Sequence, residues 1–246
     1  MSVFRVNPPI FAFDFSLNKP ALSAYVESEL SFHVFPMNMD SKSEEMLCDA
    51  GCEVINRGWG KIHDEAPNSH ELIVKHVERA YSLATIIIEK MVEILHRHYS
   101  VDEIRNVVPE SYVINEGLAF AANGDAALDL SGYKYIFMMK MMEYGFKNFY
   151  TYQPTSIKSV AGCAKRGEGK TKDRMIEAFR QDNLIMNKFK EVILNSPDDL
   201  KKKTAYVECV DDIADSYWNL ITFMKRDGKS ILSSCISSST NSDLEK

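Results

Sequence analysis

The segment IFAFDFSLNKPALSAYV, residues 10–26, opens the part of the sequence that decides the fold. Its apolar run is interrupted by Asn18-Lys19-Pro20 and then resumes, which predicts a strand, a tight turn and a second strand. Residues 30–38, LSFHVFPMN, predict a third antiparallel strand. Inside the first run lies Asp14, an acid that is costly to bury unless it has a partner.

The rest of the chain alternates between helical and strand-like patterns. Apolar residues recur at helical spacing in three long segments, 70–99, 127–146 and 206–228, and in two shorter ones, 172–181 and 184–195. Short apolar runs predict further strands at 111–120 and at 147–157, the latter passing into a proline turn. This order of elements predicts a layered α/β domain whose first strands are antiparallel.

Two segments do not fit a regular element. Residues 39–69 are polar and rich in helix and strand breakers, and we interpret them as a long loop or insertion within a domain that spans residues 1–228. Residues 229–246 are Ser-rich, which is typical of a disordered tail.

Composition narrows the class of protein. The five cysteines are odd in number and irregularly spaced, which favours free thiols in a reducing, cytoplasmic compartment. Apolar runs fall far short of the roughly 20 residues that span a bilayer, and no signal peptide is recognisable, so we expect no membrane association. With a formal net charge of −6, the protein is expected to bind nucleic acid only through a local basic patch.

The acidic residues form the most informative pattern. Asp14 and Glu116 lie in two predicted strands, while Asp212 and Asp215 are three apart and therefore share one face of the last helix. Each has an ordinary structural explanation, such as a turn, a solvated strand end or a helix N-terminus. If all four converge, they repel one another unless divalent cations neutralise them, and Mg²⁺ prefers such oxygen ligands.

A basic stretch follows the predicted strand at 147–157. AGCAKRGEGKTKDRM, residues 161–175, contains a relaxed phosphate-loop pattern from Ala164 to Thr171. A true P-loop follows a strand and precedes further strands, and the residues after Thr171 are mostly helical. Basic residues outnumber acidic ones six to two between positions 158 and 174. We therefore favour a DNA-phosphate clamp without ATP binding, with a solvated charged loop as the alternative.

Four segments resemble, in order, the RuvC-type Holliday-junction resolvases of the ribonuclease H-like nuclease superfamily. They are FDFSLNKPALSAYV (13–26), YVINEGLAFAANGDAALDLSGYKYIFMM (112–139), QPTSIKSVAGCAKRGEGKTKDRMIEA (153–178) and DDIADSYWNLI (211–221). The likeness extends over roughly residues 10–225, with an extra segment near 40–69. The basic loop is longer than the family pattern, so the active-site lysine is either Lys170 or Lys172.

The resemblance implies a mixed sheet flanked by helices, with antiparallel first strands and then parallel ones. It implies a two-metal, Mg²⁺-dependent endonuclease for branched DNA, with Mn²⁺ able to substitute, acting as a homodimer through the helix at 134–146. The implied metal ligands are Asp14, Glu116, Asp212 and Asp215, and Lys172 joins them as a catalytic residue. The implied DNA contacts are Lys158, Lys165, Arg166, Lys170, Lys172 and Arg174.

Three other functions remain open from the sequence. The first is a ribonuclease H-type enzyme that cuts RNA in RNA–DNA hybrids. The second is a non-catalytic nucleic-acid-binding module on the same fold. The third is an ATPase that depends on Lys170.

Overall fold

A computed structural model describes residues 7–16, 18–62, 68–117, 124–164, 171–195 and 204–229. The strands are β1 (Ile10–Asp14), β2 (Ala21–Val26), β3 (Glu29–Val34), β4 (Glu53–Val54), β5 (Tyr112–Glu116) and β6 (Asn148–Tyr152). The helices are α1 (Ser41–Ala50), α2 (Ser69–His96), α3 (Val101–Glu110), α4 (Gly124–Tyr144), α5 (Pro154–Val160), α6 (Thr171–Gln181), α7 (Lys188–Asn195) and α8 (Ala205–Arg226).

The six strands form one mixed sheet in the order β4-β3-β2-β1-β5-β6. β2 is antiparallel to both β1 and β3, whereas β5 is parallel to β1 and to β6. The antiparallel opening followed by parallel strands confirms the fold class predicted from the sequence. Since parallel strands end at the same edge, the carboxyl ends of β1, β5 and β6 lie together.

Each face of the sheet is covered by its own layer of helices. Ile10 and Ala12 of β1 pack on the side of α1 and α5–α8, while Phe11 and Phe13 pack on the side of α2, α3 and α4. This alternation is the two-residue period of a strand that is buried on both faces. None of the described helices is long and apolar enough to cross a membrane.

The last helix, α8, is the central helix of the layer that also contains α1 and α5–α7. It packs on β1, β2 and β5, and nearly all of its side chains from Cys209 to Met224 are buried. Two buried polar contacts fix its position: the hydroxyls of Ser23 and Ser216 are 2.7 Å apart, and Asn219 Nδ2 donates to the Phe13 carbonyl at 3.1 Å. The direction of α8 over the sheet is therefore set by hydrogen bonds as well as by apolar packing.

The interpretation of residues 39–69 as a loop was wrong over its first half. Asp40 caps the N-terminus of α1 by accepting from the Ser43 backbone N–H at 2.9 Å. Gly51 caps its C-terminus with a φ of 95°, a left-handed conformation that favours glycine. The helix was missed because few of its residues are apolar. Residues 63–67 lie outside the described part of the chain.

The structure corrects other boundaries. The predicted 70–99 helix ends at His96, and a separate helix, α3, begins after Ser100, which forms a capping box with Glu103. Pro154 opens helix α5 at a position where its missing N–H costs nothing, so the predicted proline turn is helical. The third strand stops at Val34 and not at residue 38.

The packing of α8 gives a stability prediction. Leu220 is fully buried beneath the sheet, so Leu220→Ala leaves a cavity and should cost about 2–5 kcal/mol of unfolding free energy. Leu194→Ala is the matched control, because Leu194 of α7 is 41% exposed and its truncation should cost much less. Chemical denaturation measures both variants, and equal losses would contradict the packing described for α8.

Candidate active site

Two acids lie at the ends of adjacent parallel strands. Asp14 ends β1 and Glu116 ends β5, and the register places Phe13 beside Asn115, one residue before each acid. Because side chains alternate along a strand, Asp14 faces the same side as Ala12, and Glu116 the same side as Ile114. That side is the one covered by α8.

The helix α8 brings three more acids to this edge. Asp211, Asp212 and Asp215 lie within about one helical turn. Asn219, one turn beyond Asp215, donates a hydrogen bond to the backbone carbonyl of Phe13 in β1. Asp211 is buried, at 5% exposure, while Asp212 and Asp215 are half-buried. The structure thus brings together the four acids singled out in the sequence, and Asp211 joins them.

Burial raises the pKa values of Asp14, Glu116, Asp212 and Asp215, and repulsion from other acids adds to the rise at Asp14, Asp212 and Asp215. Burial raises the pKa of Asp14 well above its ordinary value, and Asp212, Glu116 and Asp211 raise it further. Burial, followed by Asp211 and Asp215, raises the pKa of Asp212 to about 7. At neutral pH the cluster therefore holds protons or requires a nearby positive charge.

The pKa of Asp215 is raised further. Burial is the largest cause, followed by Asp14, Asp211 and Glu116, and together they raise it to about 8. Burial also raises the pKa of Glu116, although Lys134 and Lys158 oppose the rise. The pKa values of Asp14 and Asp215 are thus raised by acids on other elements, whereas that of Glu116 is raised by burial.

Lysines surround the acids. Lys134 of α4 donates to the Glu116 backbone carbonyl, and burial lowers its pKa against the opposing effect of Glu116 and Asp14. Lys172 of α6 forms an ion pair with Asp211 while its own side chain remains 74% exposed. Burial would lower the pKa of Lys172, but Asp211, Asp212 and Asp215 raise it. Positive charge is thus supplied from helices on both faces of the sheet.

A cleft of about 130 Å³ opens beside the acids, and its lining includes Glu116, Asp215, Lys158, Lys172 and Asn219. Acids and lysines therefore face one space. An anionic group that enters it meets two ammonium groups, while a cation meets carboxylate oxygens.

The chemistry of the site fits a hard divalent cation. Asp211 Oδ1 and Asn219 Oδ1 are buried and have no hydrogen-bond partner among the described residues. Oxygen donors of this kind are the ligands that Mg²⁺ and Mn²⁺ prefer. In the described ranges, no three His, Cys, Asp or Glu side chains are already arranged at coordinating positions. The described side chains therefore match a divalent cation in donor type and in charge, but they do not form a preformed coordination geometry.

The predicted DNA-binding residues are placed only in part. Lys158 lies in α5 and lines the cleft, and Lys172 and Arg174 lie in the first turns of α6. Lys165, Arg166 and Lys170 lie outside the described residues. The segment before the basic stretch is helix α5 and not the strand that a P-loop requires.

Sequence reasoning missed four residues of this edge: Asp211, Lys134, Asn115 and Asn219. Asp211 adjoins a predicted ligand, and its four-residue spacing from Asp215 places the two on one helix face. Lys134 precedes the apolar run YIFMM, a pattern that does not place its ammonium group at the end of β5. The two asparagines carry no comparable signal in the sequence.

Comparison with known proteins agrees with the fold. No protein-family model matches the sequence, and no curated protein matches it. Thermus thermophilus RuvC in complex with a Holliday junction substrate is similar at 13% identity and a TM-score of 0.42, over 89% of this chain and 96% of that one. A second Thermus thermophilus RuvC structure is 14% identical, with a TM-score of 0.41 and the same coverage.

The yeast mitochondrial Holliday junction resolvase Ydc2 is 10% identical, with a TM-score of 0.50 over 96% of this chain and 86% of that one. At this identity the likeness concerns the fold alone. The chain therefore has the ribonuclease H-like fold found in that resolvase, as the resemblance in its sequence predicted.

Proposed function

We propose that the protein is a divalent-metal-dependent endonuclease that cuts branched DNA. The observation that carries the proposal is the convergence of acids from β1, β5 and α8, among which Asp14, Asp212 and Asp215 have pKa values raised by burial and by neighbouring carboxylates. Such a cluster costs folding free energy, and groups with strongly perturbed pKa values concentrate at binding and catalytic sites. The fold of a Holliday junction resolvase supports the choice of a nuclease and of branched DNA.

The side chains divide into two roles. Asp14, Glu116, Asp212 and Asp215 would hold two Mg²⁺ ions, for which Mn²⁺ substitutes. When bound, such ions activate water for in-line attack and stabilise the leaving 3′ oxygen. Lys158 and Lys172 line the same cleft and bind the phosphate. Because Lys172 is largely exposed, it can exchange its contact with Asp211 for a phosphate oxygen.

The substrate prediction is tested with a panel of four-way junction, flap, duplex and RNA–DNA hybrid in Mg²⁺. We expect the junction or flap to be cut and Asp14→Asn to lose at least about 100-fold in rate while still binding DNA, because it removes a metal ligand and a charge that repels phosphate. Lys42→Gln, an exposed charge change on α1, is the control and should cut normally. Cleavage of the hybrid alone would favour the ribonuclease H alternative.

A second prediction concerns pH and metal. The pKa of Asp215 is about 8 in the folded chain against an ordinary value of 3.8. Between these two pKa values the folded state binds more protons than the unfolded state. The free energy of unfolding that this group contributes therefore falls as the pH rises from about 4 to about 8. In EDTA, Asp215→Asn should therefore be more stable than wild type at about pH 8.5, and its advantage should shrink towards about pH 5.

Thermal denaturation of both proteins measures this difference. The comparison cancels the titration of groups remote from Asp215, while loss of the Asp215 charge also lowers the pKa of Asp212 and adds to the gain in stability of the variant. Added Mg²⁺ or Mn²⁺ should raise the Tm of wild type more than that of Asp215→Asn. A wild type that gains no stability from either ion at about pH 8.5 would contradict the proposed metal site.

The proposed enzyme is a homodimer, because nicking two opposed strands of a junction requires two active sites. Helix α4 exposes Tyr135, Met139 and Met142, which are spaced four and three apart and share one face. Each is at least 60% exposed. The neighbouring α2 exposes Ile73 and Val77, so the apolar surface extends over both helices.

Met142→Glu tests this interface, because it would bury an unpaired charge between subunits. We expect the variant to sediment as a monomer and to produce single nicks in place of paired cuts. Met186→Glu, at an exposed position between α6 and α7, is the matched control and should leave the mass unchanged. A wild type that stays monomeric on junction DNA would rule out the dimer.

A further inference from the structure

The extra segment near residues 40–69 continues the sheet beyond the end of β4. The backbone N–H groups of Ile55, Arg57 and Trp59 donate to carbonyls within residues 34–37 at 2.8–3.0 Å. These bonds extend the pairing of β4 with β3 past the last residue of each strand. The segment is therefore fixed in place by hydrogen bonds between main-chain groups.

Arg57 connects this segment to the turn between β1 and β2. Its Nη2 donates to the Asn18 carbonyl at 2.8 Å, and its Nε donates to the Pro36 carbonyl at 3.3 Å. The Asn18 carbonyl also accepts from the Met37 backbone N–H at 2.6 Å. Because a guanidinium donates in several fixed directions, one side chain can bridge two carbonyls. Arg57 thus ties the turn that follows Asp14 to the extra segment.

The ring of Trp59 orients the Arg57 guanidinium. The guanidinium carbon of Arg57 lies 4.4 Å from the ring centroid, and that of Arg79 lies 5.4 Å from it. Arg79 belongs to α2, is buried, and donates to the Gly60 carbonyl at 2.9 Å. Stacking on the ring and bridging two carbonyls both require a planar cation, so Lys cannot replace Arg57 without loss.

Lys19 is the residue that this anchor places. It follows Asn18 in the turn, its backbone N–H donates to Ser16 Oγ at 3.0 Å, and its ammonium pairs with Glu208 in the first turn of α8. Burial raises the pKa of Asp212 to about 7, and Lys19 opposes that rise. Lys19 therefore brings a positive charge to the acid cluster from the β1–β2 turn.

The cleft and Lys19 lie at different ends of the row of acids on α8. Asp215 and Asn219 line the cleft, whereas Glu208, the partner of Lys19, lies about 10 Å before Asp215 along the helix axis. The side chain of Glu208 is 62% exposed, so its ion pair is weak and Lys19 can exchange it for another anion. A DNA strand that follows α8 from the cleft would bring a further phosphate to Lys19.

We propose that Lys19 binds a backbone phosphate of the branched DNA beside the cleft and that Arg57 is the positioning residue that holds Lys19 there. The inference rests on the proposed function, because this phosphate belongs to the substrate of the cleft. It gives the extra segment a role in binding. A turn that is already fixed loses little conformational freedom when Lys19 engages the phosphate, and that favours affinity.

Binding of a four-way junction in EDTA, where the proposed enzyme cannot cut, tests the role of Lys19. Lys19→Gln should raise the Kd about 5-fold or more and reduce the slope of log Kd against log salt concentration by about 0.9, because one phosphate contact is lost. Lys147→Gln is the matched control. Lys147 is exposed and precedes β6, at the edge of the sheet opposite the acids, so both quantities should stay unchanged.

Double variants test the role of Arg57. Arg57→Lys keeps the charge but loses the planar fork, so it should weaken junction binding as Lys19→Gln does. Lys19→Gln should then add little in the Arg57→Lys background, because both changes act through one phosphate contact.

Glu208→Gln is a second probe that leaves the Arg57 anchor intact. It should tighten junction binding by releasing Lys19 from its ion pair, and most of that gain should disappear when Lys19→Gln is also present.

The outcomes separate this inference from the proposed function. Junction binding by Lys19→Gln with the affinity and salt slope of wild type overturns the inference alone. Fully additive effects of Arg57→Lys and Lys19→Gln overturn the positioning role of Arg57. If wild type neither binds nor cuts branched DNA, the proposed function fails and the inference fails with it.

Discussion

Repulsion among the clustered carboxylates is the constraint on which the arrangement of the neighbouring strands, helices and lysines depends. Asp14, Glu116, Asp211, Asp212 and Asp215 act on one another from three elements. At an effective dielectric constant near 20, two charges 4 Å apart already cost about 4 kcal/mol. The five acids therefore cannot all be ionised without compensation, and the fold supplies part of it through Lys134 and Lys172.

A cluster of this kind persists only if the surrounding structure is rigid. β1 is the central strand through which the antiparallel and parallel parts of the sheet connect, and its side chains are buried on both faces. The helix α8 is held on it by the Ser23–Ser216 contact and by Asn219. The elements that carry Asp14, Asp212 and Asp215 are thus well buried and held to each other by hydrogen bonds, which opposes relief of the repulsion by moving them apart.

Long elements with regularly spaced apolar residues could be predicted from the sequence. Short elements with few apolar residues could not. The hairpin of β1 and β2 and the helix α8 have continuous apolar patterns and were correct to within a few residues. Helix α1 has a good cap but buries only Ser43, Leu47 and Ala50, so its periodicity is weak. Helix α3 was not predicted, because it is short and buries only Ile104, Val107 and Val108.

The site shows the same division between local pattern and tertiary placement. Asp14, Glu116, Asp212 and Asp215 could be predicted because strand ends and helical spacing bring acids to one edge. Lys134 could not, since nothing in α4 alone indicates that its ammonium reaches the carbonyl at the end of β5. The partners of a charge across a sheet edge are set by helix position, which the sequence pattern leaves open.

The alternation of side chains along β5 separates two neighbouring cavities. One is the cleft beside the acids, and the other is lined by Asn115, Lys134 and Phe137. Glu116 turns to the acid cluster and Asn115 to the space beneath α4, although they are adjacent in the chain. A slip of β5 by one residue would exchange the faces, placing an amide among the carboxylates and an acid against Phe137. Pairing of β5 with β1 on one side and β6 on the other prevents that slip. The same register that assembles the acids therefore also creates the neighbouring cavity.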